Sequence, residues 1–353
     1  MSALAKYALS LKKKVGGSDR DMINAEALKS CGIKIYPRGT RALSEYDAVV
    51  YTDAVPSNDD ELRLARSLKK AVFPRARFLA AVCGRFSRVV AVAGCHGKTT
   101  CTSMLASVYH AAGRRFTAHI GGYSLQFSNF CSFGNDCFIT EACEYKKNFL
   151  TLKPNTAVVL STEPDHLECY GGAADLYSCY RRFASRAEHA VVPRALASEV
   201  AGAVTFGTDA YSNFRAVDCV SCGGAYSFTL SAFGRELGRI NLKVLGRYNV
   251  HNALAAAAAA SAEGVEFEYI AAGLASFEGV ERRMQLLGSF HGARCVADYA
   301  HHPTEIAAAL KTAGKITEGR LFVIFQPHTY SRTKNLFKQF VAALSGVRRL
   351  LIY

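Results

Sequence analysis

The chain has 353 residues, half of them hydrophobic, and carries a formal net charge of +14 at pH 7. This length predicts two or three domains, and the hydrophobic fraction allows a large core and excludes a disordered chain. No apolar run is long enough to cross a membrane, and the N-terminus lacks the features of a secretory signal. We therefore expect a cytoplasmic protein without membrane insertion.

The positive charge and the twelve cysteines restrict the expected ligands. An excess of basic residues favours an anionic partner, either nucleic acid or nucleotides. Because these residues are scattered, without a long basic run or an RNA-binding aromatic motif, we predict nucleotides and no nucleic acid. Most cysteines lie in apolar patterns typical of free buried thiols. Cys219 and Cys222 form a weak zinc or redox signal, because no second pair accompanies them.

Residues 1–85 alternate between helical and strand patterns. The predicted elements are a helix over 1–13, strands over 15–19 and 46–55, and a helix over 58–71. Asn58 or Asp59 is expected to cap the second helix, because acidic residues follow in its first turn. Since the region begins on a helix, we expect a strand and a loop to be missing in front of it.

Residues 86–280 form a longer α/β pattern. The predicted elements are a buried strand over 88–94, a helix over 98–113, strands over 136–142 and 156–162, a β-rich insertion over 204–245 and an alanine-rich helix over 252–264. Gly113 is expected to end the first of these helices, because glycine readily adopts the left-handed conformation found there.

Residues 281–353 again alternate strand and helix. The predicted elements are strands over 293–299 and 320–326, helices over 303–314 and 331–346, and a strand that begins at 349. A sheet domain does not end on a half-built sheet, so we expect the chain to be cut at this end as well.

The stretch "AVAGCHGKTT", residues 91–100, has the context of a phosphate-binding loop, because a buried strand precedes it and a helix follows. Gly94 and Gly97 allow a tight turn that brings backbone N–H groups onto an anion. The partial positive charge of the helix N-terminus adds to this attraction.

Three side chains after these glycines fit the same interpretation. Lys98 can reach the β- and γ-phosphates of a nucleotide, and the hydroxyl of Thr99 can bind Mg²⁺, with Thr100 beside it. The loop alone therefore predicts an NTPase or a kinase.

Seven stretches resemble, in order and spacing, the Mur ligase family, most closely its alanine-adding members. They are "GCHGKTT" (94–100), "FITEACEY" (138–145), "STEPDHLECY" (161–170), "GRYNVHN" (246–252), "FEGVERR" (277–283), "DYAHHPTE" (298–305) and "FQPHTYSRT" (325–333). The chain departs from the family pattern at Cys95, Ser161 and Tyr248, and it lacks the glycine loop that holds the uridine diphosphate.

The resemblance implies a three-domain α/β fold. An incomplete N-terminal Rossmann-like domain (1–85) would bind the UDP-sugar, and a central P-loop ATPase-type domain with a β-rich insertion (86–280) would bind ATP. An incomplete C-terminal Rossmann-like domain (281–353) would bind the amino acid.

The implied reaction is ATP-dependent ligation of L-alanine to UDP-N-acetylmuramate, through an acyl phosphate, in peptidoglycan precursor synthesis. ATP and Mg²⁺ are the implied cofactors, and a monomer or a weak dimer is expected. Two alternatives stay open: a truncated ATP-binding pseudo-enzyme, and a murein-peptide recycling ligase of the same family.

The resemblance also implies the roles of the site residues. The ATP site would contain Gly94, Cys95, His96, Gly97, Lys98, Thr99, Thr100, Asn249, Asn252 and Asp298. Thr99 and Glu141 would bind one Mg²⁺, His166 would hold a second, and catalysis would involve Lys98, His166 and Arg283. The two substrates would be contacted by Thr117, Gly121, Gly122, His301, His302, His328 and Arg332.

Plainer roles remain possible for several of these residues. The asparagines and Asp165 can cap helices, and Glu141 and Asp298 can be acids at strand ends. Either Arg282 or Arg283 can be the phosphate clamp, and the plainer alternative is that the two arginines are a solvated pair. One of His301 and His302 is expected to face the site, and the sequence does not indicate which.

Overall fold

The computed structural model describes residues 1–19, 25–39 and 41–353. Within these ranges the α-helices are α1 Ser2–Ser10, α2 Ala25–Lys29, α3 Asp60–Ser67, α4 Arg75–Cys83, α5 Lys98–Ala111, α6 Ala173–Ala184, α7 Arg194–Ala197, α8 Tyr248–Ala262, α9 Phe267–Ser276, α10 Pro303–Ile316, α11 Tyr330–Asn335 and α12 Phe337–Leu344. In the same ranges, no helix is both long enough and apolar enough to cross a membrane.

The strands are short and parallel pairs predominate. They are β1 Gly16–Asp19, β2 Lys34–Pro37, β3 Ala48–Tyr51, β4 Ala71–Pro74, β5 Arg88–Ala93, β6 Phe116–Ser124, β7 Ser128–Ser132, β8 Cys137–Glu141, β9 Thr156–Val159, β10 His189–Pro193, β11 Val204–Gly207, β12 Phe214–Cys222, β13 Ala225–Ala232, β14 Arg235–Leu245, β15 Gln285–Phe290, β16 Ala293–Ala297, β17 Val323–Phe325 and β18 Leu350–Ile352.

A ten-stranded sheet in the order β14-β13-β12-β11-β10-β9-β5-β8-β6-β7 forms the centre of the molecule. Its strands from β6 across to β12 pair in parallel, whereas β7, β13 and β14 pair antiparallel with their neighbours. The β-rich segment predicted over 204–245 is present, but it continues this sheet instead of standing apart from it. The reason is that β11 pairs in parallel with β10, so the segment extends the existing ladder.

Helices cover both faces of the sheet, and successive side chains of β5 point alternately to the two cores. Val90 and Val92 face one core, which α5, α8 and α9 complete, while Val89, Ala91 and Ala93 face the other, which α1, α4 and α6 complete. Ala253 and the alanines of residues 255–260 in α8 are buried. Small side chains on this helix allow it to pack closely between the sheet and its neighbouring helices.

Smaller two-stranded sheets lie on either side in the sequence: β1-β2, β3-β4, β15-β16 and β17-β18. Asp59 is the N-cap of α3, since its carboxylate accepts a hydrogen bond from the backbone N–H of Glu61 at 3.0 Å.

The prediction of a single helix over 331–346 is wrong. Leu336 has φ −109° and ψ 20°, outside the helical region, and separates α11 from α12.

Candidate functional site

The carboxyl ends of three neighbouring parallel strands meet at the loop of residues 94–97. Val92 pairs with Glu141 of β8, and Ala93 pairs with Val159 of β9. Ligand sites in open α/β sheets form at this edge, because the loops that follow the strands converge there. The sequence-predicted phosphate loop therefore lies where the topology favours binding.

Both glycines of the loop are required by their backbone conformation and by close packing. Gly94 has φ 131° and Gly97 has φ 79°. A Cβ on Gly94 would lie 3.0 Å from the backbone nitrogen of Leu160, and one on Gly97 would collide with the amide oxygen of Asn252. The loop is thus held between the segment after β9 and the start of α8.

We expect Gly97→Ala to lower the free energy of unfolding by about 3 kcal/mol. The left-handed backbone costs an alanine about 1–2 kcal/mol, and the collision with Asn252 adds to it. Gly113→Ala is the matched control, because Gly113 has φ 61° but open space at its Cβ position, so about 1–2 kcal/mol is expected there. Urea unfolding of both variants measures the difference, and equal losses would contradict the packing argument.

Lys98 folds back over the loop and is largely buried, with a side chain 16% exposed. Its Nζ donates to the carbonyl oxygens of Gly94 at 2.6 Å and Cys95 at 3.3 Å, and to Oε1 of Glu144 at 3.0 Å. Burial alone lowers the pKa of Lys98, but the nearby Glu144 carboxylate outweighs it and holds the pKa above its usual value. The lysine is therefore charged at neutral pH.

Glu144 was missed by the sequence interpretation, although "FITEACEY" contains it. A buried lysine needs a buried acid as its partner. An acid three residues after Glu141, just beyond the end of the same strand, could have indicated Glu144 as this partner. The second carboxylate oxygen of Glu144, Oε2, has no hydrogen-bond partner within the part of the chain that the structure describes. An unsatisfied buried carboxylate oxygen is favourable for a cation.

Two groups of side chains beside the loop contain candidate ligands for Mg²⁺ or another cation. Glu141 ends β8, and its Oε1 accepts a 2.5 Å hydrogen bond from the backbone N–H of Gly121. Gly122 lies against Thr99, since a Cβ on it would be 3.1 Å from Cγ2 of that threonine. Glu141 therefore contacts Gly121, and Thr99 lies beside the next residue of β6, Gly122.

The second set consists of Glu144, Asp165 and His166, which offer ligand atoms within 4.8 Å of one another. His166 has φ 52°, and its ring packs edge-on against Tyr145. Arg332 binds both oxygens of Asp165 at 3.3 Å. Burial raises the pKa of Asp165, but the charges of His166 and Arg332 outweigh this and lower it overall.

The paired asparagines lie at the start of α8, against the loop. The Asn252 amide donates to Oδ1 of Asn249 at 3.0 Å, and the Asn249 amide donates to the carbonyl of Leu245 at 2.8 Å. The carboxylate of Asp298 accepts from the backbone N–H groups of Met284 and Ala300, at 2.9 and 2.7 Å. Asp298 thus makes the contacts of an acid at a strand end, whereas Asn249 does not cap α8, because this helix has no side-chain cap at its N-terminus.

His301 and His302 face different neighbours. His302 is buried, caps α10 and lies with its ring centroid 4.9 Å from that of His96 in the loop. His301 contacts Tyr299 at 4.9 Å and His328 at 6.1 Å between ring centroids. His302 is thus the one that faces the phosphate loop.

Arg283 and His96 both contact Glu305, which was also missed as a site residue. Nη1 of Arg283 lies 3.4 Å from Oε1 of Glu305, whereas Arg282 lies over the ring of Tyr299. Nδ1 of His96 lies 3.2 Å from the same oxygen, and its Nε2 lies 3.4 Å from Glu163. Arg283, not Arg282, therefore belongs to the charged cluster at the loop.

Two sequence-predicted features lie apart from this region. Thr117 stands near the start of β6, fully buried, with its hydroxyl bonded to Ser132 and Gly134 at 2.8 Å. The sites gather at the other end of these strands, so Thr117 cannot contact a ligand there. Cys219 and Cys222 end β12, and neither belongs to the two candidate metal clusters found among the described residues.

Comparisons with known proteins agree with this geometry. Residues 92–260 match the family model of the Mur ligase middle domain, and residues 282–353 match that of the Mur ligase glutamate ligase domain. The chain is 36% identical over 367 residues to UDP-N-acetylmuramate–L-alanine ligase of Acetivibrio thermocellus, a match that covers 100% of the chain and 78% of the relative.

Solved structures show the same relationship. The fold is similar to that of a UDP-N-acetylmuramate–alanine ligase from Thermotoga maritima, with a TM-score of 0.87, 27% identity and coverage of 100% of this chain and 82% of that one. A murein peptide ligase from Psychrobacter arcticus shares the fold, with a TM-score of 0.77, 24% identity and coverage of 100% and 88%. The chain therefore has the family's middle and C-terminal domains and belongs to the Mur ligase family of ATP-dependent peptide ligases.

Proposed function

We propose that this chain joins L-alanine to UDP-N-acetylmuramate at the expense of ATP, in peptidoglycan precursor synthesis. The observation that carries the proposal is the contact between the phosphate loop and the C-terminal segment. His96 of the loop packs on His302, and Asp165 binds Arg332, so residues expected to bind the nucleotide are in contact with residues expected to bind the amino acid. The alanine-adding relative of 36% identity supports the choice of substrates.

The chemistry requires activation of an unreactive carboxylate. Transfer of the γ-phosphoryl group of ATP to the lactyl carboxylate forms an acyl phosphate. The amine of L-alanine then attacks the acyl carbon, the C–O bond to phosphate breaks, and inorganic phosphate leaves while the amine loses its proton. Two anions must approach each other in the first step, so neutralisation of charge and alignment dominate its barrier.

The side chains around the phosphate loop fit these requirements for charge neutralisation and alignment. Lys98 and the backbone N–H groups of the loop would hold the phosphates, and Arg283 would contribute positive charge from the side of Glu305. Thr99 and Glu141 would bind one Mg²⁺, and His166 would hold a second together with the unsatisfied oxygen of Glu144. When bound, Mg²⁺ supplies further neutralisation of the phosphate oxygens.

The test is phosphate release from ATP in the presence of different acceptors. We expect release only when UDP-N-acetylmuramate and L-alanine are both present, with a product whose mass increases by one alanine residue. Release with a murein tripeptide in place of L-alanine would favour the recycling ligase instead. Nucleotide binding without release in any combination would favour the pseudo-enzyme.

A further inference from the structure

His96 occupies an unusual position for a residue of a phosphate loop. Its ring lies between two carboxylates, with Nε2 3.4 Å from Glu163 and Nδ1 3.2 Å from Glu305, and its side chain is 17% exposed. Glu163 belongs to the segment after β9, whereas Glu305 stands in the first turn of α10. The histidine therefore connects the loop to an element of the C-terminal segment.

Acidic and basic side chains meet around this contact. The carboxylates of Glu163, Asp165 and Glu305 lie beside His96, His166, Arg283 and Arg332. Burial lowers the pKa of His96, but the neighbouring Cys95 and the two glutamates outweigh it and raise the pKa to about 12. The ring that lies between Glu163 and Glu305 is thus an imidazolium at neutral pH.

Further contacts bring the N-terminus of α10 to the same place. The hydroxyl of Thr304 donates to Oε2 of Glu163 at 2.9 Å, and the ring of His302, the N-cap of α10, packs against the ring of His96. Glu305 in turn accepts the backbone N–H of His301 at 3.1 Å. The first turn of α10 is consequently fixed by groups that a movement of the loop would disturb.

We propose that His96 is a positioning residue that couples occupancy of the phosphate loop to docking of the N-terminus of α10. This inference rests on the proposed nucleotide site. Phosphates that order the loop fix the imidazolium, and the fixed imidazolium holds Glu163 and Glu305 on either side of its ring. Coupling of this kind is reciprocal, so docking of α10 also strengthens nucleotide binding.

Amide hydrogen exchange tests the coupling without any need for ligation. The probe is the non-hydrolysable analogue adenylyl imidodiphosphate with Mg²⁺, and the readout is exchange in residues 303–316 and in residues 94–100. In the unsubstituted protein we expect the analogue to slow exchange in both segments, by about fivefold or more in α10. In His96→Gln we expect slowing in the loop but none in α10.

Three further variants make the result specific. Glu305→Gln should reproduce the loss, and the double variant should lose no more than either single one, because both changes break one contact. His110→Gln is the matched control, since His110 lies at the other end of α5 and should leave the coupling intact.

The outcomes separate the coupling from the nucleotide site. Full slowing in α10 of His96→Gln would overturn the proposal, whereas absence of slowing in the loop of every variant would instead overturn the nucleotide site. A chelator added to the nucleotide-free protein should leave α10 unchanged. A chelator effect would mean that a metal ion on His96, Glu163 and His302 makes the contact, which would also overturn the proposal.

Discussion

Replacing Lys98 with methionine is expected to lower the rate of ligation by about a hundredfold to a thousandfold. The lysine is the charged donor of the loop, and removal of one donor that stabilises developing charge has an effect of this size. Methionine keeps the length and the apolar part of the side chain. Phosphate release at saturating concentrations of both acceptors measures the loss, and a variant that keeps its activity would exclude this loop as the phosphate site.

The same change should destabilise the fold, which makes a second variant necessary. Without Lys98 the carboxylate of Glu144 remains buried without a counterion, and such a loss costs about 3–5 kcal/mol. The double variant Lys98→Met/Glu144→Gln removes that charge, so we expect urea unfolding to recover most of the stability while ligation stays lost. Stability that does not recover would show that packing, not the unpaired charge, causes the destabilisation.

Glu141→Gln is expected to raise the Mg²⁺ concentration needed for half-maximal ligation by about tenfold or more. The amide keeps an oxygen that can accept the N–H of Gly121, so the local structure should persist while the negative charge is lost. Titration of phosphate release with magnesium chloride measures the shift. The physical reason is that Mg²⁺ prefers charged oxygen ligands.

A control at the other end of the same strand separates the metal effect from a general effect of charge. Asp136 directly precedes β8 at the end opposite to Glu141 and is exposed. Asp136→Asn should leave the Mg²⁺ titration unchanged. If Glu141→Gln and Asp136→Asn behave alike, Glu141 does not bind the ion.

The loop and its flanking elements could be predicted because the information is local. A buried strand, two glycines and a helix start are all visible within residues 88–100, and the structure has them at β5 and α5. The position of Glu141 follows from the same logic, since the ends of neighbouring parallel strands share one edge of the sheet.

The partners of the charged groups could not be predicted, because they come from distant parts of the chain. Glu144, Glu163 and Glu305 look like ordinary surface acids until the fold places them beside Lys98 and His96. Likewise, the residues before Pro303 show no helical or strand periodicity of hydrophobic side chains. The sequence therefore does not indicate whether His301 or His302 faces the loop.

Thr117 shows a different limit of sequence interpretation. Its segment resembles a substrate-facing one, but four residues along an extended strand cover about 13 Å, so Thr117 near the start of β6 lies far from Gly121, which contacts Glu141. A segment can therefore be assigned to a site while only its last residues reach that site.

The bonds of Lys98 have a consequence for how strongly a nucleotide is held. Two loop carbonyls and Glu144 already use the three donors of the ammonium group. An arriving phosphate must displace at least one of these acceptors, so the measured affinity is the difference between two sets of bonds and not the sum of the new ones. When the product nucleotide dissociates, the loop carbonyls and Glu144 form their hydrogen bonds to Lys98 again. These restored bonds offset part of the cost of product release.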